Sequence, residues 1–68
     1  MNLPKLRGVC IEKNIKREEL AFMWRCTPQT VSKKLHGKSP ITFEEAKVFS
    51  REAGLTDEEK FNIFLSDK

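Results

Sequence analysis

Three threonines, each placed just ahead of an apolar-periodic stretch, fix most of what this chain can fold into. Thr27 precedes Pro28, Thr42 stands three residues before Glu45, and Thr56 stands three residues before Glu59. A threonine oxygen accepts one of the orphan N–H groups of a first helical turn, and proline at the first helical position has none to lose. The T-x-x-E spacing adds a reciprocal bond from the glutamate. Periodicity supplies two earlier helices. Leu3, Leu6 and Cys10 share one face of a helix running to about Lys13, where Asn14 breaks the pattern, and a second begins near Lys16 with Leu20, Ala21 and Trp24 on one side. The third helix is expected to stop at Gly37, and Gly54 fits the left-handed position after the fourth. No stretch alternates long enough to argue for a strand. The expectation is an all-α, compact five-helix domain.

Sixty-eight residues leave room for a single domain, 1–68, because a chain this short buries only about 60% of its unfolded surface. Phe43, Ala46, Phe49 and Ala53 are expected to form an inward stripe, and Phe61, Phe64 and Leu65 a final apolar face that packs in the core and also serves to close a dimer. Two cysteines cannot build the bridge framework of a small secreted scaffold, and no N-terminal apolar run resembles a signal peptide or membrane span. The chain therefore reads as cytoplasmic, with reduced thiols. Cys10, Cys26 and His36 match no metal-ligand spacing, so no metal is expected. A lone histidine without a clear acid partner, and no glycine-rich phosphate loop, argue against an enzyme, a cofactor or a small-molecule substrate. The most apolar helices flank acidic rather than basic residues, which argues against a membrane surface.

The distribution of charge is more telling than its total of +3. Residues 1–40 hold nine lysines and arginines against three glutamates, a net +6, whereas residues 41–68 hold four against seven carboxylates, a net −3. A polyanion partner suits that asymmetry. The basic half contains "RCTPQTVSKKLHGKS". At about 100° per residue, Val31 and Leu35 lie within about 40° of each other, while Gln29, Lys33 and His36 cluster within about 60° on the other side, flanked by Ser32 and Thr30. One face packs and the other is left to read something. Glutamine bonds adenine N6 and N7, lysine donates to guanine O6 and N7, and a serine hydroxyl serves either.

The segment "REELAFMWRCTPQTVSKKLHGKS" resembles the helix-turn-helix of the Xre-type family, the small repressor and Cro proteins of temperate phages. Leu20, Ala21, Thr27, Thr30, Val31, Ser32, Gly37 and Lys38 carry the likeness, and "LHGKSPITFEEAKVFSREAGLTDEE" extends it to roughly residues 3–65. The resemblance implies a helix-turn-helix over about residues 17–36 and a sequence-specific regulator of transcription in a bacterial host cell. It implies that helix 28–36 enters the major groove of double-stranded DNA. It further implies base contacts from Pro28, Gln29, Ser32 and Lys33, and contacts to the DNA backbone from Arg17, Thr30, Lys34, His36 and Lys38. A palindromic operator and a homodimer, formed before or upon DNA binding, complete the expectation.

The sequence departs from the family's pattern in three places. Arginine stands at position 25, where glycine is common in the turn, and Lys16 replaces the usual Ser or Thr cap of the second helix. Cys10 and Leu35 occupy positions where many members pair an arginine with a glutamate, so a dry contact between the first and third helices is expected instead. The alternative is a helix-turn-helix module that binds protein, such as an antirepressor or antitoxin, since function does not follow from fold alone.

Overall fold

Every helix begins and ends where its terminal chemistry allows. The computed structural model describes residues 1–65, and these form five helices without a strand. They are α1 (Leu3–Glu12), α2 (Arg17–Trp24), α3 (Pro28–Leu35), α4 (Phe43–Ala53) and α5 (Asp57–Lys60), the last continuing into a π-helical turn, Phe61–Leu65. The threonine caps form as expected: Thr27, Thr42 and Thr56 oxygens accept from the N–H of Thr30, Glu45 and Glu59. Glu45 and Glu59 return the bond to Thr42 and Thr56 at 3.0 and 2.9 Å. Lys16 has no accepting side chain, and only the Glu19 carboxylate half of the arrangement is made, to the Lys16 N–H at 2.8 Å.

The helix ends share one solution. After each of α1 to α4 a single residue takes the left-handed conformation: Asn14 (φ 57°), Arg25 (φ 55°), Gly37 (φ 79°) and Gly54 (φ 67°). At each end the following N–H reaches five residues back, Ile15 to the Cys10 carbonyl, Cys26 to Ala21, Lys38 to Lys33 and Leu55 to Ser50. This is the Schellman arrangement, which satisfies carbonyls that the helix cannot. Glycine and asparagine suit it. Arginine at 25 is held in a conformation that costs a residue with a Cβ about 1–2 kcal/mol.

The core gathers Leu6, Val9 and Cys10 of α1, Leu20, Ala21 and Trp24 of α2, Val31 and Leu35 of α3, then Phe49, Leu55 and Ile63. Cys10 and Leu35 are both buried in it, and burial pushes the Cys10 thiol up, away from thiolate chemistry. Two apolar expectations need correction. Phe43 is 76% exposed, because it lies about 120° around α4 from the buried Phe49 and occupies the first turn, where no earlier turn covers it. In the last segment Phe61 and Leu65 are exposed and the fully buried residue is Ile63. The i→i+5 winding there turns less per residue than an α-helix, and the Asn2 N–H binds the Ile63 carbonyl at 2.7 Å, which brings Ile63 onto α1. Phe64 is half-buried and meets Phe49 edge to face, with ring centroids 6.3 Å apart. No helix among the described residues is long and apolar enough to cross a membrane.

The left-handed positions give opposite expectations. Arg25→Gly should raise stability by up to about 1 kcal/mol, the relief of strain exceeding the added entropy of the unfolded chain. Gly37→Ala should lower stability by about 1 kcal/mol or more, since strain is created and a Cβ there meets Leu3 Cδ1 at 3.3 Å. Urea unfolding followed by Trp24 emission measures both, and a loss of stability in Arg25→Gly would contradict the strain. Leu35→Ala should cost about 2–5 kcal/mol in the same experiment, and a loss below about 0.5 kcal/mol would contradict its burial.

Candidate nucleic-acid interface

A three-residue connection, Arg25 to Thr27, joins α2 to α3, and Thr27 with Pro28 starts α3 at a defined residue. Val31 and Leu35 bury themselves on one side of α3. Pro28, Gln29, Lys33 and His36 stand exposed, and Ser32 and Thr30 are half-buried at the flanks. Arg17, the first residue of α2, and Lys38, just past the Gly37 turn, are exposed as well. Among the described residues, the side chains of Arg17, Gln29, Lys33 and Lys38 make no hydrogen bond or ion pair with the rest of the protein.

The remaining polar groups of this face are partly engaged. Thr30 Oγ1 lies 3.1 Å from Thr27 Oγ1. His36 Nδ1 lies 2.9 Å from the Ser32 carbonyl, which can only accept, so Nδ1 carries the hydrogen and Nε2 is left for another partner. In the neutral ring that Nε2 accepts, so His36 donates to a phosphate only as imidazolium.

Lys34 departs from its expected place among the DNA-backbone contacts. Its ammonium donates to Glu45 Oε1 at 2.8 Å and to the Pro40 carbonyl at 2.9 Å, with the side chain only 11% exposed. The helical wheel explains the difference from its neighbour. Lys34 lies about 60° from Val31, at the border of the packed side, whereas Lys33 lies about 160° from it. The same carboxylate holds the first turn of α4, and the Glu45 carbonyl accepts the Trp24 indole N–H at 3.0 Å. Burial pushes the Glu45 carboxyl up, but bonds from Lys34 and Thr42 outweigh it and hold the group below the ordinary glutamate range. At the same C-terminal end of α3, Arg7 Nη1 donates to the Leu35 carbonyl at 2.6 Å, placing a cation at the negative end of the helix dipole. Neither role of Lys34 or Arg7 belonged to the sequence expectation. The usable signal for Arg7 was its position one residue past the inward Leu6, on the edge of α1's packed side, opposite a helix end that needs donors. Among the described residues no three His, Cys, Asp or Glu side chains gather to hold a metal ion.

Glu45 sets a pH dependence of known sign. Its folded pKa is lowered, so its contribution is complete above the unfolded value of about 4.3 and is lost as pH falls through the folded value. Lys34→Met should therefore cost about 1.5–3 kcal/mol near pH 7, and the gap from wild type should narrow below about pH 4. Urea midpoints at several pH values test this, and a gap that stays constant into acid would exclude the ion pair as its cause. No family model matches this chain, and no curated protein or solved structure matches it either.

Proposed function

We propose that this protein is a sequence-specific, double-stranded-DNA-binding regulator of transcription, similar in design to phage repressor and Cro proteins, whose α3 lies in the major groove. The observation that carries the reading is the division of α3 into a packed side and a side whose long polar groups are uncommitted. Gln29 and Lys33 are exposed, four residues apart and one helical turn from each other, and neither has a side-chain partner among the described residues. Side chains of this length and donor pattern match base edges. Ser32 and Pro28 lie beside them at the groove, while Arg17, Thr30, His36 and Lys38 meet phosphates and sugars. Lys34 is left out of the contact set because its ammonium neutralises Glu45.

The alternative, a protein-binding module, draws on the exposed apolar residues Phe22, Phe43, Phe61 and Leu65. None of them is on α3, so they bear on a second surface rather than on the polar face. A domain with one reading helix covers one half-site, so two copies about a two-fold axis, with their α3 helices about 34 Å apart, are the arrangement that reads a palindromic operator.

Selection from a random DNA pool at fixed salt, followed by mobility shifts on the recovered site, tests the reading. Gln29→Ala or Lys33→Ala should cost about 1–3 kcal/mol and relax preference at one position of each half-site. Lys38→Ala should weaken all sequences alike and lower the salt slope by about one unit, and Arg17→Ala should behave in the same way. Unchanged affinity at low salt in all four variants would discard the DNA reading in favour of a protein partner.

A further inference from the structure

A groove beside α4, with no residue of α3 in its lining, has a chemistry that DNA binding leaves unused. It holds about 690 Å3, within the range of roughly 300–1,000 Å3 typical of small-molecule sites. Its walls come from the chain start at Met1, from α4, from the corner between α4 and α5 and from the last turn. The buried Leu55 and the half-buried Phe64 lie in it, and Phe43 and Leu65 stand at 76% and 71% exposure in the same lining. Exposed apolar side chains gathered at one groove mark a contact surface. The hydroxyls of the lining are already engaged: Ser50 Oγ donates to the Ala46 carbonyl at 2.8 Å, and Thr42 Oγ1 accepts the Glu45 N–H at 3.1 Å. What lies against the interior is therefore best a hydrocarbon.

The charge there has one sign. Lys47, Arg51 and Lys60 line the groove, and no carboxylate does among the described residues, although residues 41–68 are acidic overall. Lys47 and Arg51 follow Phe43 at four-residue steps, so all three share one stripe of α4. The three cations are exposed, and no close carboxylate holds them. Lys47 Nζ sits 5.6 Å from the centre of the Phe43 ring, Arg51 meets Glu52 only at 3.8 Å and Lys60 meets Asp57 at 3.5 Å, exposed contacts worth little. An apolar interior edged by cations of one sign selects a ligand with a hydrocarbon body and an anionic head. We propose that the groove binds a small amphiphilic carboxylate of the medium-chain fatty-acid type, its chain against Leu55 and Phe64 and flanked by Phe43 and Leu65, its carboxylate among Lys47, Arg51 and Lys60. The ligand is held and not converted, since no histidine, cysteine or carboxylate lines the groove among the described residues. The site stands whether or not α3 binds DNA.

Decanoate is the probe, titrated into the full chain at neutral pH and followed by backbone amide shifts. Binding should saturate at one site with a dissociation constant on the order of 1 mM, as suits a ligand of this size in an open groove. The shifts should centre on Lys47, Arg51, Gly54 and Leu55. Octanoate should bind about tenfold more weakly, the loss of two largely buried CH2 groups. Lys47→Gln with Arg51→Gln, at exposed positions, should weaken decanoate at least about fivefold, and Leu65→Ser should weaken it by removing part of the apolar wall. Lys13→Gln with Lys16→Gln removes the same charge outside the groove and should leave the affinity unchanged. Decyltrimethylammonium, a cation with the same chain, should not bind there. Circular dichroism verifies that the variants are folded. Failure to saturate by about 10 mM decanoate, shifts spread over the whole chain as a detergent produces, or equal binding of the cation would each overturn the proposal. So would undiminished affinity in the folded Lys47→Gln, Arg51→Gln chain, or groove amides that shift with protein concentration alone, because a second copy then fills the groove.

Discussion

The ammonium of Lys34 ties α3 to α4, and the exposed face of α3 depends on that tie. It leaves α3, meets the Glu45 carboxylate in the first turn of α4, and Glu45 in turn accepts the Trp24 indole from α2 through its carbonyl. In the same last turn of α3, Arg7 of α1 holds the Leu35 carbonyl. An isolated helix of eight residues is marginal in water, so α3 exists because its neighbours hold it. Val31 and Leu35 supply the apolar contribution. The two cations fix the rotation of the last turn, which apolar contact alone leaves loosely specified, since oily surfaces slide more readily than hydrogen bonds do. The half-buried ion pair adds little net stability over an apolar pair of equal size, but removing one partner strands the other. Its value to this domain is orientation.

The sequence was most legible where local chemistry decides. Thr27, Thr42 and Thr56 start helices because their oxygens find N–H groups three residues on, a bond needing no knowledge of the rest of the fold. Gly37 and Gly54 end helices for an equally local reason, and Arg25, at a turn position where glycine is common in the family it resembles, takes the left-handed conformation that glycine favours. The division of α3 into Val31 and Leu35 against Gln29, Lys33 and His36 also follows from one helical wheel.

Legibility failed where tertiary neighbours decide. Phe43 belongs to an apolar repeat, yet at the first turn of α4 it stays largely exposed. Ile63 replaces Phe61 and Leu65 as the buried residue because the last turn unwinds to π geometry and is hydrogen-bonded to Asn2. No local rule signals that winding. Lys34 and Arg7 look on paper like solvated cations. Their roles come from what stands opposite them, a carboxylate and a helix carbonyl, brought there by chain distant in sequence.

Lys33 and Lys34 show how the fold divides its basic charge. They are neighbours with the same side chain, but a 100° step around α3 sends one to Glu45 and leaves the other in solvent. The net +6 of residues 1–40 therefore overstates what is available to an outside anion: Lys34 neutralises a carboxylate from the acidic half, and Arg7 answers a helix dipole. Among the described residues, the cations that remain uncommitted near α3 include Arg17, Arg25, Lys33 and Lys38, spread over the start of α2, the turn before α3, its last turn and the turn beyond it. A diffuse attraction of that size favours many sequences about equally. On the proposed reading, discrimination has to come from Gln29 and Lys33, whose geometry is only as good as the two clamps that hold α3. On that reading, orientation inside the domain and selectivity outside it become the same physical problem, and the half-buried ion pair at Glu45 would contribute to recognition without touching DNA.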